Sequence, residues 1–266
     1  MTDPELTPGN GPGIPGFWDD VRGAAHRCLV LDYDGTLSEF RVDRMQAFPV
    51  PGVVETLSEI RDSGRTSLSI MTGRPVSELL ALLGDLGIPI CGSQGTEFRA
   101  ADGAMRVYRL TDRQEERIER AEREAKALAL AGRVERKLSS VALHTRGLDA
   151  QVAAREEAEV AGLWSADAAD YGMECRPFKG GVELRLLGVD KGTALDRTLE
   201  AAPSDSLCVY LGDDLTDEDA FRAIDGRGYG IKVGHGGEPT SAAGRLEDPN
   251  AVREFLKTWL SVTTSM

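Results

Sequence analysis

The sequence is short of long apolar runs, of aromatic residues and of positive charge. No stretch approaches the roughly 18 consecutive apolar residues of a membrane-spanning helix. The opening MTDPELTPGNGPGIPG lacks both the basic n-region and the apolar h-region of a signal peptide. Aromatics make up 6% of the 266 residues, and 31 Lys and Arg stand against 44 Asp and Glu, a formal net charge of −13. With no basic run, nucleic acid and anionic membranes are excluded as partners, because both are bound chiefly through basic patches. An acidic chain that handles an anionic ligand therefore needs a local cation. Cys28, Cys91, Cys175 and Cys208 form no CxxC pair, and read as reduced thiols of a cytoplasmic protein. His26, His144 and His235 are scattered, and HExxH, GxSxG and the P-loop pattern are all missing, so zinc-protease, serine-hydrolase and P-loop chemistry lose their motifs.

What is present is an alternation. Short apolar runs end in polar or Gly-containing turns: Cys28 to Leu31 before DYDGT, Ser67 to Met71 before TGR, Ile88 to Cys91 before GSQG, and Leu207 to Leu211 before GDD. These read as buried parallel strands, with helical patterns such as VVETLSEIRD and RPVSELLALLGDLG between them. The pattern predicts a doubly wound, mainly parallel α/β sheet. Near the C-terminus, Val252, Phe255, Leu256, Trp259 and Leu260 form the apolar stripe of a helix packed on that sheet.

Between about Thr111 and Leu187 the texture changes to a charge-dense helix, with Glu116/Arg120, Glu119/Arg123 and Glu122/Lys126 at i, i+4. Strand-like VERKLSSVALHTR, a helix and the hairpin MECRPFKGGVELRLL follow. The expected organisation is a disordered Pro/Gly-rich tail over 1–16, a core made of 17–110 and 188–266, and a smaller α/β domain, 111–187, inserted into it.

In an open α/β sheet the site lies beyond the carboxyl ends of the strands. Those ends collect Asp32 and Asp34, Thr72 and Arg74, the Ser93 to Glu97 loop, and Asp213 and Asp214 with Asp217, Glu218 and Asp219 behind them, while Lys191 opens the helix before the last of these strands. Carboxylates converging at one edge repel one another unless a divalent cation sits among them, and hard oxygen ligands suit Mg²⁺. Neither DYDGTL nor DDLTDED has the acidic spacing of an EF-hand loop. Glu218 and Asp219 read more simply as first-turn residues of a helix.

DYDGT, MTGR, the lysine of VDKGTAL and GDDLTDE resemble the four motifs of the haloacid dehalogenase superfamily, in the right order. GSQGTE, VERK, LHTR, GGVELR and the GDDLTDE form of the last motif resemble trehalose-6-phosphate phosphatases over nearly the whole chain from Phe17 onward. The resemblance implies a core of that superfamily with a cap between the second and third motifs, and hydrolysis of a phosphorylated disaccharide, trehalose 6-phosphate; a monomer is expected, although the sequence itself carries no sign of the oligomeric state. It implies Asp32 as nucleophile, Asp34 as general acid and base, Thr72 and Lys191 as holders of phosphoryl oxygens, and Asp214 and Asp217 as groups that order Lys191 or the water on the metal. Mg²⁺ would be held by Asp32, the Asp34 carbonyl and Asp213. Substrate binding maps onto Arg74, Gly95, Glu97, Glu135, Lys137, His144, Arg146 and Glu183. The chain departs from the family pattern at Gln94, where a His is usual, and at Thr145, where an aromatic is common. Another phosphorylated sugar or pseudo-disaccharide is the alternative substrate, and a non-catalytic regulatory relative the alternative class.

Overall fold

The computed structural model describes residues 11–128 and 130–265. The chain runs α1 (Phe17–Gly23), β1 (His26–Leu31), α2 (Val53–Asp62), β2 (Ser67–Met71), α3 (Val76–Leu83) and β3 (Ile90–Gly92), then the short hairpin β4 (Glu97–Arg99) and β5 (Met105–Val107). A second unit follows with α4 (Asp112–Ala127), β6 (Val134–Arg136), β7 (Val141–His144), α5 (Ala150–Ser165), β8 (Met173–Phe178) and β9 (Gly181–Leu186). The first unit then resumes through α6 (Lys191–Ala201), β10 (Ser206–Gly212), α7 (Asp217–Ala223), β11 (Gly228–Val233), β12 (Gly244–Leu246) and α8 (Pro249–Thr264).

The core sheet has the order β12-β11-β10-β1-β2-β3-β4-β5. Its pairs are parallel up to β3, and only β4 and β5 run antiparallel. β1 lies at the centre, between β10 and β2. The two-residue period of a strand sends Leu29 and Leu31 into the apolar cluster that includes α2, α3 and α8, and Cys28 and Val30 into the opposite cluster with α6 and α7. Burial on both faces explains why these strands read as continuous apolar runs. The inserted unit, the cap, is an antiparallel sheet of order β6-β7-β9-β8. Its own apolar cluster, Ile118, Val141, Leu143, Val160, Trp164 and Leu184 among others, draws on α4 and α5. Among the described residues no helix is long and apolar enough to cross a membrane.

Two expectations need correction. Residues 1–10 of the expected tail lie outside the described residues, but 11–16 are placed on the core. The Pro12 carbonyl accepts from Arg245 N at 2.9 Å, and Ile14 packs against the α8 cluster. Gly244 allows this approach, since a Cβ there would lie 2.5 Å from the Pro12 oxygen. The charge-dense helix α4 is also not wholly solvated. Arg117 is buried and donates to Asp167 and to the Trp164 carbonyl, and Arg120 pairs with Asp167 and Glu124 rather than Glu116. Glu119–Arg123 and Glu122–Lys126 form as expected.

Candidate active site

β1 ends by handing Asp32 to the cleft, its N–H still donating to Leu211 O at 2.9 Å. The alternation of DYD then works as a sorting device. Tyr33 turns into the apolar core and donates its hydroxyl to Ala47 O at 2.7 Å, while Asp32 and Asp34 stay on the cleft side. Gly35, at φ 76°, closes the turn, and a Cβ on it would lie 2.1 Å from Asp213 Oδ2. A glycine is therefore required for Asp213, delivered by the end of β10, to approach the Asp32–Asp34 loop.

Lys191, the first residue of α6, is 2% exposed and bridges Asp32 Oδ1 at 2.6 Å and Asp217 Oδ1 at 2.7 Å. Burial works against its charge, but the two carboxylates outweigh it and raise its pKa. Asp217 is buried completely. It also accepts from the Tyr210 hydroxyl at 2.6 Å on Oδ1 and from Asp214 N at 2.8 Å on Oδ2. Both of its oxygens are thus in use, one of them on Lys191. Burial raises the pKa of Asp32 despite Lys191, raises that of Asp214, and pushes Asp213 up to about 7. Removing carboxylates from water without full compensation has this effect.

Asp34 is held differently: Arg74 donates from Nε and Nη2 to its two oxygens, both at 2.6 Å. Thr72 is fully buried, and its hydroxyl oxygen accepts from Arg74 N at 3.2 Å. This fixes the start of the Arg74 turn and leaves the hydroxyl proton for another acceptor. Gln94 lines the cleft 9% exposed, at φ 57°, beside Ser93 at φ 48°. Its Oε1 has no hydrogen-bond partner among the described residues. Positive φ in two successive non-glycine residues is strain of the kind kept at functional sites.

The facing wall comes from the cap. Glu183 on β9 accepts from Lys137 Nζ at 2.8 Å and from Ser140 Oγ at 2.6 Å. Glu135 on β6 meets His144 Nε2 at 2.7 Å and pairs with Arg44 of the core. Burial disfavours the charge on both glutamates, yet these partners win, and both pKa values are lowered. Arg146 stacks on Phe40 with its guanidinium carbon 4.1 Å from the ring centroid. Together these walls enclose a cleft of about 650 Å³, open to solvent, lined by six carboxylates and six lysines or arginines. The two signs thus balance within the cleft lining, and the chain's net −13 lies outside it. A larger, mainly apolar groove of about 1500 Å³ between α6 and the β4–β5 hairpin gathers no comparable chemistry.

Three residues expected at the substrate or in doubt there lie elsewhere. Glu97 is buried with Oε2 accepting from Val76 N at 2.6 Å, which caps α3 instead of facing the cleft. Gly95 lines the apolar groove, where a Cβ would meet the Asp190 carbonyl at 3.3 Å. Thr145 is buried with its hydroxyl on Glu157 of α5, so its departure from the family pattern does not touch the cleft. Sequence reading missed Lys179, Arg44, Phe40 and Tyr210. Lys179, in the β8–β9 turn, reaches across from the cap. Its Nζ lies 2.7 Å from Asp213 Oδ2, and its N–H donates to both oxygens of Asp214 at 3.0 Å. In the sequence this lysine is only part of a Lys-Gly-Gly turn signal, and the other three carry no signal at all.

The donor set can be tested against a divalent cation. Oxygens of Asp32, Asp213 and Asp217 lie within 4.8 Å of one another, and the missing Cβ of Gly35 leaves them room. Hard carboxylate oxygens suit such an ion, and the pKa values of Asp32 and Asp213 are raised in its absence. Asp217 is committed to Lys191, Tyr210 and Asp214, which leaves Asp32 and Asp213 as the available side-chain ligands.

A family model described as trehalose-phosphatase matches residues 30–250. The chain belongs to that family. A trehalose-phosphate phosphatase of Mycobacterium marinum is 32% identical over 239 residues, covering 85% of this chain and 60% of the relative. The chain thus spans about three fifths of the length of the curated relatives it matches first. The C-terminal domain of C. albicans trehalose-6-phosphate phosphatase superposes with a TM-score of 0.82 at 21% identity, covering 93% of this chain and 96% of that one. At that identity it shows the fold: a haloacid dehalogenase-like core with an inserted cap, as the motifs imply. A trehalose-6-phosphate phosphatase related protein matches with a TM-score of 0.69 at 26% identity, over 90% of this chain and 99% of the other.

Proposed function

We propose that the protein is a Mg²⁺-dependent phosphatase that hydrolyses trehalose 6-phosphate to trehalose and phosphate through an aspartyl phosphate, with 111–187 as the specificity cap. The observation that carries this reading is the buried Lys191 bridge between Asp32 and Asp217 facing a cap wall of Glu135, Lys137, His144, Arg146 and Glu183. One wall suits a phosphoryl group, the other sugar hydroxyls.

Asp32 ionises without a base, so the obstacle to attack is repulsion by the phosphate. Mg²⁺, with Asp32, the Asp34 carbonyl and Asp213 as its ligands, would offset that repulsion. Lys191 holds Asp32 in place and presents positive charge to the phosphoryl oxygens. An Asp32 oxygen attacks phosphorus, the bond from phosphorus to the sugar oxygen breaks, and Asp34 gives that oxygen its proton. Water then attacks the aspartyl phosphate, Asp34 takes the proton back, and the Asp32–phosphorus bond breaks to release phosphate. Both Asp34 oxygens sit on Arg74, so Arg74 must yield one of them when the ester enters. Gln94, with its unpartnered Oε1, is placed to accept from a substrate hydroxyl or a water.

Asp32→Asn should lower kcat by about 10⁴-fold or more while the fold is kept, measured as phosphate release alongside circular dichroism. Retained turnover sinks the covalent mechanism. Comparing kcat/KM over a panel of phosphorylated sugars tests the substrate, and preference for any ester over trehalose 6-phosphate replaces that assignment.

A further inference from the structure

Arg44 lies in the loop after β1, in the short helical turn Arg44–Gln46 that Asp43 caps by accepting from Met45 N. It lines the cleft, and the two carboxylates it meets belong to different units. Its Nε donates to Glu78 Oε2 on α3 of the core at 3.1 Å, Nη2 pairs with the same oxygen, and Nη1 pairs with Glu135 Oε2 on β6 of the cap. All three side chains are only 21–27% exposed, so solvent screens these pairs less than surface ones.

Each partner leads on to the chemistry. Glu78 Oε2 is 3.7 Å from Arg74 Nη1, and Arg74 holds both oxygens of Asp34. Glu135 Oε2 also takes the His144 contact at 2.7 Å, and its Oε1 has no hydrogen-bond partner among the described residues. Charges therefore alternate in sign along a contiguous row: Asp34, Arg74, Glu78, Arg44, Glu135. Only a guanidinium can sit at the fourth place, because one edge of its planar fork serves Glu78 while the remaining nitrogen serves Glu135. Burial opposes the charge on Arg44, but its two glutamates outweigh it and push its pKa above the ordinary arginine value.

We propose that Arg44 is a positioning residue that couples sugar recognition in the cap to the acid–base carboxylate Asp34 in the core. The inference rests on the phosphatase reading and adds to it a link between the two walls. By occupying Oε2 of Glu135, Arg44 orients the free oxygen for a sugar hydroxyl. By holding Glu78 against Arg74, it keeps Arg74 over Asp34. A sugar bound to Glu135 thereby bears on the group that protonates the leaving oxygen, with no bond made or broken along the way.

The test is a double-mutant cycle in steady-state kinetics, using trehalose 6-phosphate and p-nitrophenyl phosphate as substrates of the full chain. Arg44→Met should lower kcat/KM for the disaccharide ester about tenfold or more beyond its effect on p-nitrophenyl phosphate, and Arg44→Lys should not restore it. In the Arg44→Met/Glu135→Gln double variant, the losses should fall short of multiplying by about five- to tenfold, the mark of direct coupling. Losses that multiply, equal losses on both substrates, or an Arg44→Lys enzyme that matches wild type would each overturn the coupling. Should Arg44→Met fail to fold by circular dichroism, the cycle is run on Arg44→Lys. If wild type prefers another phosphorylated sugar, the cycle is run on that ester, so the substrate assignment and the coupling fail separately.

Discussion

The two walls of the cleft hold similar numbers of charges in different ways. On the core wall Lys191 and Asp217 are 2% and 0% exposed, and each oxygen of Asp217 is spoken for. On the cap wall Glu135 is engaged at one oxygen, and it keeps about a fifth of its surface in water. The walls also titrate in opposite senses: burial raises Asp32, Asp213 and Asp214, whereas the cations beside Glu135 and Glu183 overcome burial and lower them. A buried cluster short of cations is built to receive positive charge. A cap wall whose carboxylates are already paired suits the proposed role of exchanging hydrogen bonds with neutral hydroxyls.

The sharpest way to break this contrast is to remove Lys191. Lys191→Met leaves Asp32 and Asp217 buried without their cation, and should cost about 3–5 kcal/mol in urea unfolding as well as activity. A stability loss below 1 kcal/mol, the range of an exposed ion pair, would mean the core wall is not locked. Next in size is Gly35→Ala. Its methyl would intrude on Asp213, and Mg²⁺ affinity by calorimetric titration should fall about 10- to 100-fold. Unchanged affinity would remove Asp213 from the ligand set.

The smallest effect tests the cap. The folded pKa of Glu183 lies below its reference value of 4.5, so between the folded and unfolded values the unfolded chain binds more protons. The stability Glu183 contributes is therefore present above about pH 4.5 and lost as pH falls through the folded value. Glu183→Gln should flatten the acid limb of stability against pH, followed by urea midpoints from pH 6 to 3. An unchanged slope would show that Glu183 is not held charged by Lys137 and Ser140.

The core wall was legible because its residues sit at strand ends with fixed local spacing. Asp32 and Asp34 follow an apolar run and flank a Tyr that packs inward, and Asp213 follows another such run. The parallel sheet was legible for the same reason, since strands buried on both faces announce themselves as apolar runs. The β4–β5 hairpin was not, because strands of three residues are too short to show a period. Arg44 and Lys179 escaped because their partners lie far off in the chain: Glu78 and Glu135 for one, Asp213 and Asp214 for the other. Glu97 misled because a buried carboxylate that caps α3 looks, in sequence, like one that faces a ligand.

The placement of β1 has a consequence for how the protein comes off the ribosome. Its partner on one side, β2, is made shortly afterwards, but on the other side His26 waits for Ser206. At about 5–20 residues per second, that edge stays open for roughly ten seconds or more while the whole cap is synthesised. The cap's separate apolar cluster lets it gather its own side chains during that interval instead of competing for the exposed β1 edge. Asp32, the proposed nucleophile, shares Lys191 with Asp217, which is made only after β10 has arrived to close the sheet.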